Sequence, residues 1–80
     1  MSLGIFSEEE VLEFFVYLDA LRRSGVTNMM GAAPYLVEKF GLSKHHSQEI
    51  LTLWQKTFDQ KIKVDRRARV VYMANGGTAE

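Results

Sequence analysis

The stretch from Leu36 to Trp54 constrains the fold more than any other part of the chain. Leu36, Val37 and Phe40 recur at helical spacing, Gly41 interrupts them, and Ser43 stands where a helix cap is needed. Glycine takes the left-handed conformation that closes a helix, and a serine side chain can accept from the first free N–H groups of the next one. Leu42, between them, is apolar and turns inward. Ile50, Leu51 and Trp54 then continue an apolar stripe at the same spacing. Two helices joined by so short a turn, with apolar residues flanking it, make a helix-turn-helix. The alternative for these residues is an ordinary corner in a three-helix bundle.

The first helix is well specified. Ser7 and Glu10 have the spacing of a capping box, and Phe6 and Val11 that of a hydrophobic staple. Glu8, Glu9 and Glu10 fall where the helix dipole favours negative charge. Val11, Phe14, Phe15, Leu18 and Leu21 form one apolar face, and Gly25 supplies the stop, so the helix is predicted over Ser7–Ser24. Pro34 belongs in a first turn, where its missing N–H is not needed, which predicts a second helix from Gly31 or Ala32 to Phe40. A third runs from Ser43 to about Gln60. Its buried stripe is Ser47, Ile50, Leu51, Trp54 and Phe58, widened by Leu53, with Lys44, His45, Gln48, Thr52 and Gln55 outward.

After Gln60 the period changes to two. Ile62 and Val64 alternate with lysines, and Ala68, Val70 and Tyr72 alternate in turn, which reads as a β-hairpin over Lys61–Met73. The rival is a continuation of the third helix through Arg69. The expected fold is therefore mostly α, a three-helix helix-turn-helix core with a C-terminal β-hairpin, winged-helix-like, in a single domain over residues 1–80. Residues 1–5 and 75–80 are expected to be disordered ends.

Eighty residues bury a modest core, roughly 60 to 65% of the unfolded surface, and the chain has no cysteine to staple it. Association with a second copy is the remaining reinforcement. No apolar run approaches the ~20 residues of a membrane span, and no signal peptide opens the chain, so a cytoplasmic location is expected. Formal net charge is zero, but the charges are segregated. Glu8, Glu9, Glu10, Glu13 and Asp19 dominate the first 25 residues, whereas Lys61, Lys63, Arg66, Arg67 and Arg69 crowd into nine. Such asymmetry suits an anion-binding segment or two ends of a dimer that attract.

Catalytic chemistry finds no footing. His45 and His46 diverge by roughly 100° on a helix and cannot grip one ion, and His45 with Glu49 supplies two ligands where a structural zinc needs four. Neither Ser43 nor Ser47 has an orienting carboxylate that would complete a nucleophile and base. The glycines lack phosphate-loop spacing. The expectation is a non-enzyme with no cofactor and no metal.

Two resemblances bear on function. From Leu42 to Met73 the chain resembles the second half of winged-helix repressors of the metal-sensing bacterial type. In these a serine-capped recognition helix precedes a basic hairpin, here ending in Arg69, Val70, Val71 and Tyr72. It departs from them in lacking a wing-tip glycine and the metal ligands and in having a third helix that is too long. The helix-turn-helix pattern itself departs from such motifs at Val37, where a smaller alanine is usual, and at Ser47, a normally apolar position. The string SGVTNMMGAAPYLVEKFGL followed by LWQKTF is similar to short uncharacterised phage-encoded proteins, a likeness that implies no activity.

The leading expectation is a phage-type or prokaryotic nucleic-acid-binding module. Lys44, His45 and Gln48 would meet base edges, and Lys61, Lys63, Arg66, Arg67 and Arg69 would meet phosphates. The alternative is a protein-interaction module that binds a host or virion protein through helix 1. Leu12, Val16 and Tyr17 lie off the main stripe of that helix and leave apolar surface for a partner or for a homodimer.

Overall fold

The computed structural model describes residues 5–74, so that, Ile5 apart, the ends expected to be disordered, residues 1–5 and 75–80, lie outside the described residues. Four α-helices and one short 3-10 turn follow in order: α1 Glu8–Ser24, the turn Met29–Gly31, α2 Ala33–Phe40, α3 Lys44–Thr57 and α4 Val64–Ala74.

The start of α1 is built as its sequence requires. Glu10 N–H donates to Ser7 Oγ at 3.1 Å, and Ser7 N–H donates to Glu10 Oε1 at 2.8 Å, so two free donors of the first turn are satisfied reciprocally. Gly25 ends the helix at φ 69°, a conformation in which a side chain would be strained. Asn28 caps the 3-10 turn through Met30 N–H at 2.9 Å, and Pro34 sits in the first turn of α2.

The short turn expected between Phe40 and Lys44 is present and joins α2 to α3. Gly41 closes α2 at φ 71° with its N–H on Val37 O at 2.9 Å, and Ser43 Oγ accepts from His46 N–H at 3.1 Å to open α3. Leu36, Ile50, Leu51, Leu53 and Trp54 pack between them and α1, which contributes Val11, Phe14, Phe15, Leu18 and Leu21. Phe40 and Phe58, expected in the core, are half-buried beside it. Phe40 meets Phe14 edge-on at 4.9 Å, a favourable geometry for aromatic quadrupoles.

The C-terminal segment differs from both expectations. No hairpin forms among the described residues. Nor does α3 continue, because Thr57 is its last residue and Phe58 adopts an extended conformation. Asp59 then holds a turn, accepting Lys61 N–H on its side chain at 2.8 Å and Ile62 N–H on its carbonyl at 3.1 Å. A separate helix follows. The alternation of Ala68, Val70 and Tyr72 was the misleading pattern, since Val70 is exposed. Val64, Ala68 and Val71 face the bundle at helical spacing of four and three, with Arg67 buried and Tyr72 half-buried beside them. The segment that the winged-helix resemblance would make a wing is thus an amphipathic helix lying back along α1. Val64 and Arg67 stand by the end of α1, and Arg69 approaches Glu8 at its start, so the two run antiparallel.

Candidate nucleic-acid interface

Two clusters of candidate residues occupy opposite ends of α3. Lys44, His45 and Gln48 are exposed on its first turns, where Lys44 and Gln48 border a shallow depression with Ala33, Pro34 and Val37 of α2. The helix has 14 residues and so extends about 21 Å at 1.5 Å per residue. At its far end, Lys61, Lys63 and Arg66 line one concavity with Asp65, and it shares Ile62 and Lys63 with a second lined by Asp19, Arg22, Arg23 and Arg67. Bases from the end of α1 and the beginning of α4 are thereby brought side by side.

The outer face of α3 carries a polar stripe along its length. At 100° per residue Lys44, Gln48, Thr52, Gln55 and Lys56 fall within one third of a turn, and all but the half-buried Thr52 are exposed. Gln48 Nε2 reaches Thr52 Oγ1 at 3.4 Å along this stripe. Glu49, the acid that reads from sequence as a charge on this helix, is only 6% exposed and leaves the stripe without an exposed carboxylate. Lys56 and Arg22 were absent from the expected set. Extending the helical wheel of α3 by three turns would have found Lys56. Arg22 needed the tertiary structure, because nothing local brings it to α4.

The basic segment itself divides. Lys61, Lys63, Arg66 and Arg69 are exposed, with Arg69 Nη1 at 4.0 Å from Glu8 Oε2. Arg67 is not available to a phosphate. It is 5% exposed, its Nη2 lies 2.7 Å from Asp19 Oδ2, and its Nε donates to Ile62 O at 3.1 Å. Trp54 Nε1 donates to the other Asp19 oxygen at 2.8 Å, so α1, α3 and α4 meet at one carboxylate. Phe58 is held between two guanidinium groups, Arg22 at 4.5 Å and Arg67 at 5.0 Å from its ring centre. Arg67 is therefore part of the scaffold that presents the others.

His45 is exposed, whereas His46 packs edge-on against Phe6 at 5.5 Å and shares a hydrogen bond with Ser43 Oγ at 3.0 Å. Among the described residues no three His, Cys, Asp or Glu side chains stand together as a metal would require. No described helix is long and apolar enough to cross a membrane. Of the expected partner residues, Val16 is 46% exposed and Leu12 half-buried. Tyr17 is partly taken up by α2, its ring edge-on to Phe40 at 5.5 Å. No protein-family model, curated protein or solved structure matches this chain.

Proposed function

We propose that this chain is a phage-type or prokaryotic nucleic-acid-binding module, a binding protein rather than an enzyme. The observation that carries the reading is the gathering of Arg22, Lys61, Lys63 and Arg66 along two adjoining concavities at one end of α3. A polar stripe without an exposed acid runs along the outer face of α3 from Lys56 to Lys44 and Gln48, with His45 beside it. The bases supply sequence-independent attraction to phosphates, and the amide and imidazole groups can address base edges. Asp19 and Asp65 also border these concavities, but Asp19 is engaged by Arg67. Three further acids, Glu8, Glu9 and Glu10, lie in the first turn of α1, so bases outnumber free acids at this end of the molecule.

Fluorescence anisotropy with duplex DNA over a salt series tests it. The affinity should fall with salt at a slope of roughly −0.9 per phosphate neutralised, and joint replacement of Lys61, Lys63 and Arg66 by alanine should flatten it by up to about three units. Joint replacement of Lys44, His45 and Gln48 should change preference among sequences and leave the slope near its starting value. Absence of salt-sensitive binding at low ionic strength would overturn the reading. The second reading is a protein-interaction module without nucleic-acid binding. It is favoured by one observation, the apolar depression that Leu12, Val16, Tyr17, Ala20 and Phe40 form on the outside of α1 and α2.

A further inference from the structure

The outer face of α1 has a charge pattern that is complementary to itself. Glu9, Leu12, Val16, Ala20 and Arg23 are spaced three, four, four and three apart, which places them within about 80° on one side of the helix. This stripe lies opposite the buried face formed by Val11, Phe14, Phe15, Leu18 and Leu21. Its ends are an exposed acid and an exposed base. Its centre is apolar, with Val16 46% exposed and Ala20 small enough for another backbone to come close. Glu13 and Lys39, again of opposite sign, border the same depression.

We propose that two copies of the chain pair through this face, α1 against α1 and antiparallel, with a two-fold axis at Val16. The register follows from the spacing. With Val16 against Val16 on the axis, Leu12 of each copy meets Ala20 of the other, large against small, and Glu9 of each meets Arg23 of the other. A two-fold contact must be self-complementary, and an antiparallel helix pair is the arrangement that makes this stripe so. A parallel pair would set Glu9 against Glu9 and Arg23 against Arg23, which is repulsive at both ends. The pairing rests on α1 alone; Arg23 also borders the basic concavity, but the mass and disulfide readouts below do not depend on nucleic-acid binding.

Sedimentation equilibrium of the full chain over a concentration series should return twice the 9.2 kDa chain mass. Val16→Glu places two carboxylates on the axis and should return the monomer mass with the helical circular dichroism unchanged. Glu9→Arg and Arg23→Glu should each weaken the dimer, and the two together should restore it, as the antiparallel register requires. Because the chain has no cysteine, Leu12→Cys and Ala20→Cys variants give a further check. They should form a disulfide when mixed and oxidised, far more than either variant by itself. A monomer throughout the series would overturn the proposal and leave the face to a different protein. A dimer indifferent to Val16→Glu, or a double reversal no better than either single one, would overturn it as well.

Discussion

Asp19 accepts from Trp54 and Arg67 in a place where only 5% of the arginine and 15% of the aspartate side chain remain exposed. Two desolvated charges contribute little net stability as a pair, but removing one leaves the other buried and uncompensated. Asp19→Ala should therefore lower unfolding stability by about 3 kcal/mol, read as a fall in the urea midpoint. Asp19→Leu combined with Arg67→Met should recover most of that loss, since an apolar pair of similar size leaves no stranded charge. Ser47 is the converse case. It is fully buried, and its Oγ has no hydrogen-bond partner among the described residues. Ser47→Ala removes an unpaired hydroxyl at almost constant volume and should raise the stability by about 1 kcal/mol. A lower midpoint would mean that the hydroxyl is satisfied.

Among the elements, α1 is the one whose limits its own residues determine. Ser7, Glu10 and Gly25 each do locally what their positions imply, with no help from the rest of the chain. Ser7→Ala should cost about 1 kcal/mol, and the loss should appear in the same urea titration. An unchanged midpoint would show that the cap contributes nothing. The α2–α3 turn was equally legible, because Gly41 and Ser43 act through backbone conformation and a hydrogen bond within three residues. α4 was not. Within Lys61–Met73 an alternating pattern and a helical one coexist, and which one is used depends on the surface offered by α1. The end of α3 was overrun for a related reason. Phe58 continues the helical stripe, yet it leaves the helix to lie between Arg22 and Arg67.

At the scale of the molecule, the charge segregation visible along the chain is rearranged rather than preserved. The acidic start of α1 and the basic segment do not simply oppose each other. Arg67 turns inward to Asp19, Arg69 reaches towards Glu8, and Lys61, Lys63 and Arg66 remain exposed with Arg22. This division explains why the salt titration is designed on Lys61, Lys63 and Arg66. Including Arg67 would confound loss of phosphate contacts with loss of the fold. The outer face of α1 is the complement of the same folding solution. α2, α3 and α4 cover the other sides of that helix and leave the stripe from Glu9 to Arg23 facing outward.

What the sequence determined by itself was everything that acts over three or four residues. That covers the helical class, the start and stop of α1, the glycine-and-serine turn, and the placement of Lys44, His45 and Gln48 on the outside of α3. Caps, left-handed glycines and amphipathic spacing are local physics and can be read from a string. What only the tertiary structure decided were relations between residues far apart: α4 in place of a hairpin, the burial of Arg67 and Glu49, and the joining of Arg22 to the basic end. An arginine reads as solvent-exposed until a carboxylate 48 positions away is folded against it. That pairing depends on the packing of α1 against α4, which no local pattern in the chain contains.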